Sequence, residues 1–423
     1  MKASVDTENK APLVFLAGIR DQKITKNESE SLIRELASLT ETLGLEITGR
    51  EIVNIRENHV QYGMGTGKAA EIAEKAASAG AECIIFDREM SPSQQRNWEK
   101  LSGLSVMDRQ ELIIQIFTKR AKTREAVLQT ELADLTYSLP RLQHKYIDLN
   151  RQRGGRYGTR GSGETRLETD RRRAEQRIHH LEKELEEIRQ QRETQRKQRR
   201  RNSIPTAAIV GYTNAGKSSL LNRLTGAGVF AEDKLFATLD STSRRMELPG
   251  GLSVLLIDTV GFIRRLPHTL IRAFHSTLEE ACTADLLIHV LDASDPDSET
   301  QHDITLSVLE DLKANEIKRI TVLNKADRPE ARELLDQLEN KYPGAVILSA
   351  ATGEGIPQLL EQMENMLSGS LHCYSFPQSR PDLAAFLHRS GTVLSETYLD
   401  ERIVMKALVD GPAAGRLKEF IQD

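Results

Sequence analysis

The chain of 423 residues is poor in aromatics, at 4%, and holds only three cysteines. It also lacks any apolar run near the roughly 18 residues that would span a bilayer. Each shortage excludes something. Cys83, Cys282 and Cys373 stand far apart without metal-ligand spacing, so buried thiols are expected rather than a disulfide or a zinc site. The lead "MKASVDTENK" places acidic and polar residues ahead of a short apolar patch, the wrong order for a secretory signal. Cytoplasmic residence is the expectation, with a peripheral place at a membrane left open. Scarce rings and abundant charge describe a protein with long solvated helices.

What is present is unevenly spread. The net charge is −4, yet between Arg141 and Arg201 there are 19 Lys or Arg against 10 Asp or Glu. One segment is basic and the remainder acidic, a split suited to a segment that meets polyanions, or equally to a solvated helical face. Inside it, "RGGRYGTRGSGETRLETDRRR" from Arg153 carries five glycines between Gly154 and Gly163. Glycine serves a phosphate cradle, a linker or a contact loop equally well.

Four segments follow from the periodicities. Over 1–115, short β-rich runs ("LVFLAG", "EIVNIR", "CIIFD", "LSVMDR") alternate with amphipathic stretches, which predicts a small α/β domain with a mostly parallel sheet. Its "GMGTGK", Gly63 to Lys68, lacks the first P-loop glycine because Tyr62 holds that place; a glycine turn at a helix start is expected. Over 116–200, Leu128, Leu132, Leu135, Leu139 and Leu142 form one apolar seam and Ile178, Leu181, Leu185 and Ile188 another. Two such seams predict a long antiparallel helical hairpin, or coiled coil, with the glycine-rich loop at its tip. Over 203–368 strand and helix alternate again, as in a doubly wound, mostly parallel P-loop domain. "SGSLHCYSFPQSRPD" reads as a linker, and 372–423 as a small α+β unit of αββα order.

The chemistry concentrates in the third segment. "AAIVGYTNAGKSSLLNRL" sets Gly211, four residues, then Gly216, Lys217 and Ser218 after an apolar strand and at a helix start. Such a loop turns its N–H groups inward around phosphate, aided by the helix dipole. Lys217 is expected on the β and γ phosphates and the Ser218 hydroxyl on Mg2+. "LLIDTVGF" ends a strand in Asp258, which can hold the magnesium shell through water, with Gly261 offering an N–H to the γ phosphate. In "VLNKAD", Asp327 can accept from the two adjacent N–H groups of guanine, which adenine cannot offer, while Asn324 and the Lys325 stem fix the ring. "ILSAATGEG" supplies Ser349, Ala350 and Ala351 for the guanine carbonyl.

Between these lies "KLFATLDSTSRRM", where Thr238 is the expected second magnesium ligand and Thr242 its competitor. The predicted GTP-binding set is therefore Gly211, Tyr212, Thr213, Asn214, Ala215, Gly216, Lys217 and Ser218; Phe236, Ala237, Thr238, Leu239 and Asp240; Asp258, Thr259, Val260 and Gly261; Asn324, Lys325, Ala326 and Asp327; and the Ser349–Ala351 backbone. Lys217, Thr238 and Gly261 carry the catalytic roles, attack of water on the γ phosphate. Position 262 holds Phe where many small GTPases place a water-orienting glutamine, so intrinsic hydrolysis should be slow. His268 and His289 are bases by residue type, with core or surface places the plainer reading.

With these motifs placed, the sequence resembles the HflX family of translational GTPases. "YTNAGKSSLLNRL", "LFATLD", "DTVGFI" and "NKAD" carry the resemblance in the GTPase segment. Outside it, "GTGKAAEI", "FDREMSPSQQRNWE", "DRQELIIQIFTKRAKTREAVLQTELADLTYSLPRL" and "GTRGSGETRLETDRRR" are more specific to that family. The resemblance implies a GTP-dependent factor that binds the large ribosomal subunit and its rRNA, splits stalled ribosomes under stress and hydrolyses GTP faster there; the helical seams, paired within one hairpin, make a monomer the default expectation. The tip departs from the family pattern in Arg156, Tyr157 and Ser162. Its Arg153, Arg156, Arg160 and Arg166 suit RNA phosphate and Tyr157 offers a stacking face. A GTPase of ribosome assembly, and a GTP switch recruiting a protein through the coiled coil, remain open beside this reading.

Overall fold

The computed structural model describes residues 11–152, 162–201, 204–226, 235–236, 242–265, 281–367, 371–399, 401–409 and 416–422, with side chains described outside 142–167, 195–203 and a few single positions. The chain forms two compact units: 1–187 with 233–239 and 265–274, and 188–232 with 240–264 and 275–423.

The first unit is built on β1 (Leu13–Arg20), α1 (Lys26–Leu43), β2 (Glu46–Asn54), α2 (Thr66–Ser78), β3 (Cys83–Phe86), α3 (Pro92–Ser102), β4 (Ser105–Asp108) and α4 (Arg109–Arg120). Its strands lie in the order β2-β1-β3-β4, every pair parallel. Val14 to Ala17 of β1 are buried on both faces, as a central strand covered by helices on both sides requires. Local signals set the helix ends. Ser91 and Gln94 form a reciprocal capping box with Pro92 behind it, which satisfies two otherwise orphaned N–H groups. The "GMGTGK" glycines make a turn, Gly63 at φ 74°, before α2 begins at Thr66.

Several charged side chains of this unit are buried, Asp87, Asp108 and Arg109 most deeply. Arg109, 2% exposed, pairs with Glu35 and, at 3.1 Å, with Asp87. Burial pushes the Asp87 carboxyl up, against the pull of Arg109 and then Arg265. Removing one member of such a set leaves an uncompensated charge and costs about 3–5 kcal/mol.

Two long helices follow, α5 (Arg124–Gln152) and α6 (Ser162–Arg201). Arg124 pairs with Glu184 at 2.9 Å, and Arg177 grips Glu131 through two bonds of 2.7 Å. Both pairs are symmetric about position 154, so the helices run antiparallel. Leu128 and Leu181 are buried between half-buried seam neighbours. The second face of α5 was not legible. There Tyr137 donates to Glu111 at 3.1 Å, and Arg141 donates to Gln95 at 2.8 Å and to the Met90 carbonyl at 2.8 Å. Its buried residues, Ala126, Gln129, Thr130, Ala133 and Tyr137, are small or polar and give no apolar stripe, although they seat α5 on α4 and α3.

The second unit carries β5 (Thr206–Gly211), α7 (Lys217–Thr225), β6 (Thr242–Glu247), β7 (Ser253–Asp258), β8 (Leu286–Asp292), α8 (Ser298–Asp311), β9 (Arg319–Asn324), α9 (Ala331–Lys341), β10 (Val346–Ile347) and α10 (Ile356–Leu367). The sheet order is β10-β9-β8-β5-β7-β6, parallel except for β6 against β7. β8 is buried throughout. The tail corrects the linker reading. Leu371–Pro377 is a strand, β11, and Pro381–Ser390 a helix, α11. With β12 (Gly391–Leu399), β13 (Arg402–Val409) and β14 (Ile421–Gln422) it makes an antiparallel sheet of order β12-β13-β11-β14. Gly, Ser and Pro around it suggested a linker, but His372, Tyr374 and Phe376 alternate with Cys373 and Ser375. Tyr374 and Phe376 are wholly buried, and the alternation was the signal to weigh.

Candidate functional site

The carboxyl ends of β5, β7 and β9 meet in the second unit, where an open α/β sheet places its ligand. Gly211 leaves β5 at φ 150° and a Cβ there would run into the Val290 carbonyl; Gly216, at φ 92°, would strike the Asn324 amide. Only glycine fits these two places. Between them the loop is stitched to the segment after β7: the Thr213 N–H donates to the Phe262 carbonyl at 2.7 Å and the Phe262 N–H to the Gly211 carbonyl at 3.1 Å. A Cβ on Gly261 would sit 2.8 Å from the Thr213 backbone and 2.9 Å from Lys217 Nζ.

Phe262, 1% exposed, is therefore an anchor of the loop and its side chain cannot reach a water. Tyr212 reinforces the seam, its hydroxyl accepting from the Arg264 N–H at 2.7 Å. Thr259 is equally structural, donating to the Ile209 carbonyl at 2.7 Å, and Val260 is buried.

Lys217 opens α7 and is 6% exposed, with Nζ donating to the Tyr212 carbonyl at 2.7 Å. Burial holds its pKa down at about 8, opposed by Asp258. Ser218, the next residue, donates to Asp258 Oδ2 at 2.6 Å. A hydroxyl and a buried carboxylate so close are oxygen donors suited to a hard cation.

The third part joins two loops. Asn324 Nδ2 donates to the Ala215 carbonyl at 2.8 Å while its Oδ1 accepts from the Ala350 N–H at 3.0 Å. The phosphate-type loop and the Ser349–Ala351 loop thus share one side chain. Lys325, at φ 64°, pairs with Asp292 at 2.7 Å; Ala326 donates to the Leu348 carbonyl at 3.3 Å. Ser349 is wholly buried and accepts from the Thr352 N–H at 3.1 Å. Asp327 stands exposed at the rim.

The family models that match this chain are "GTP-binding GTPase N-terminal" over residues 30–118, "GTP-binding GTPase Middle Region" over 120–199 and "50S ribosome-binding GTPase" over 206–325. A GTPase HflX of Akkermansia muciniphila is 45% identical over 94% of both chains. The chain belongs to the HflX family of GTPases. The GTPase HflX of Escherichia coli is also 45% identical, over 82% of each chain. A GTP-binding protein of Sulfolobus solfataricus, solved with GDP, is 24% identical over 84% of this chain and 98% of its own, at a TM-score of 0.43. As a member of the HflX family the chain is a GTP hydrolase with a P-loop domain in a mixed α/β fold.

Thr238, Ala237, Leu239, Asp240 and His268 lie outside the described residues, as do Arg153, Arg156, Tyr157, Arg160 and the side chain of Arg166. Phe236 belongs to the first unit, where its ring, 2% exposed, packs edge-on against Phe117 at 4.6 Å. His289 is fully buried in β8, stacked on His302 at 5.0 Å, and burial pushes its pKa well down; such a ring reaches no attacking water. Asn214 of the predicted set stands at φ 63°, a conformation Asn tolerates better than most residues. Arg223 of α7 reaches the Ala350 and Ala351 carbonyls, and nothing in its spacing distinguished it from a surface arginine.

Proposed function

We propose that this GTPase binds GTP in the β5, β7 and β9 cleft and uses its hydrolysis to drive a cycle on the large ribosomal subunit, splitting stalled ribosomes under stress. The observation that carries the nucleotide assignment is Asn324, which bonds both the Gly211–Ser218 loop and the Ser349–Ala351 loop. That bond fixes the distance between a phosphate cradle and a base pocket. The inward N–H groups and the α7 N-terminus hold the phosphates, and Lys217 lies on the β and γ oxygens. Asp327 accepts from guanine N1–H and the 2-amino group, with the Lys325 stem along the ring. Gly261 offers its N–H to the γ phosphate, which the bulk of any other residue against Thr213 and Lys217 would prevent.

Ser218 and Thr238 are the proposed direct ligands of Mg2+, and Asp258 holds it through water. The ion supplies charge neutralisation of the phosphates when bound. Lys217 adds a buried positive charge where negative charge develops. With Phe262 committed to packing, attack on the γ phosphate is oriented by backbone or by a partner, so hydrolysis is slow until the partner is met.

The ribosomal reading rests on the match of 206–325 to the ribosome-binding family model and on the hairpin. Both interhelical ion pairs centre on position 154, inside the Arg- and Gly-rich stretch. The proposed rRNA contacts are Arg153, Arg156, Arg160 and Arg166, whose guanidinium groups suit phosphate, and Tyr157, whose ring can stack on a base. Sedimentation of intact ribosomes with the protein and GTP, a nonhydrolysable analogue or GDP tests this. Co-sedimentation and subunit release are expected with the triphosphates, with an affinity that falls steeply with log salt. No binding in any nucleotide state would overturn the ribosomal assignment.

A further inference from the structure

Arg223 sits on α7, the helix whose N-terminus closes the phosphate cradle. Its Nε donates to the Ala350 carbonyl at 3.0 Å and its Nη2 to the Ala351 carbonyl. The guanidinium also lies over Gly353, at φ 94°, where a Cβ would stand 3.6 Å from Nη1. A planar fork on two successive carbonyls fixes two successive peptide planes, which a lysine ammonium would not do.

Those planes determine what the loop offers a base. The peptide bond is planar and trans, so its N–H points opposite to its C=O. The Ala350 carbonyl, turned to Arg223, therefore aims the Ala351 N–H away from α7. The Ala350 N–H is taken by Asn324, and the Thr352 N–H by Ser349. The Ala351 N–H is the donor the loop has left to present.

We propose that Arg223 is a positioning residue for guanine recognition, holding the Ala350–Ala351 backbone so that the Ala351 N–H meets the 6-oxygen of the base. This rests on the nucleotide assignment above. It adds a second strap between phosphate and base sites, one that runs through the rigid helix α7 rather than through Asn324. Arg223 touches neither phosphate nor base.

The test compares GDP with 6-thio-GDP, which keeps the N1–H and 2-amino edge facing Asp327 and replaces only the 6-oxygen by a weaker acceptor. The wild-type protein is expected to prefer GDP roughly tenfold. Arg223→Ala should weaken GDP by roughly tenfold, about 1.4 kcal/mol, hardly alter 6-thio-GDP, and so bring the ratio near one. Arg223→Lys should fall between them. Equal weakening of both ligands, or an unchanged ratio, would overturn the proposal, because a merely structural arginine affects the two alike. Arg223→Gln serves should the alanine variant not fold. Asp327→Asn run beside them separates the two failures: if that variant turns from guanine to xanthine while the Arg223 ratio stays put, only the role of Arg223 is wrong.

Discussion

Two glycine-rich loops in this chain each lead from a parallel sheet into a helix, and only one has the P-loop spacing. In "GMGTGK", a Cβ on Gly65 or on Gly67 would meet nothing within 4 Å, and Lys68 is spent on the Asn54 carbonyl at the end of β2. In "GYTNAGKS", Gly211 and Gly216 have positive φ and stand against backbone and the Asn324 amide, with Lys217 folded inside the loop. Composition barely separates the two. The difference is that Gly211 and Gly216 are both required by what stands opposite them, whereas Gly65 and Gly67 tolerate replacement and Gly63 is held to glycine by its φ of 74° alone.

The largest expected effect breaks the cradle. Gly216→Ala forces a side chain into a left-handed conformation and into Asn324, so GDP affinity by calorimetry should fall at least about 100-fold, roughly 2.7 kcal/mol. A second test uses Lys217. Free in its buried loop it loses its proton around pH 8, where an ordinary lysine holds it to 10.5. Phosphate oxygens favour the charged form, so nucleotide binding must restore the proton once the pH exceeds about 8. GDP affinity should therefore fall as pH rises through this range, by up to about tenfold per unit, with proton uptake at pH 9 and little at pH 7. Titration in buffers of different ionisation enthalpy reads this directly. The smallest effect belongs to the look-alike. Gly67→Ala, exposed in the first turn of α2, should stabilise the protein by about 0.5 kcal/mol in urea unfolding and leave GTP hydrolysis unchanged.

The same contrast explains what could be read in advance. The cleft was legible because phosphate and guanine chemistry demand particular residues at fixed spacing, as Gly211 to Ser218 and Asn324 to Asp327 supply. Alternating runs placed both parallel sheets for a related reason, since a strand buried on both faces must be apolar throughout. Long-range partners left no such trace. Arg109 among Glu35 and Asp87, the polar face of α5 around Tyr137 and Arg141, and Arg223 on the Ala350 and Ala351 carbonyls all depend on which groups the fold brings opposite them. β11 was missed because turn formers at its ends outweighed the alternation within it.

The proposed reading of guanine by Asp327 is tested most directly by exchanging its acceptor for a donor. Asp327→Asn presents an amide to the 2-position, which suits the carbonyl of xanthine and not the amino group of guanine. This variant should hydrolyse XTP in place of GTP, with GTP turnover lost at concentrations that saturate the wild type. Unchanged GTP turnover with no gain for XTP would contradict that reading.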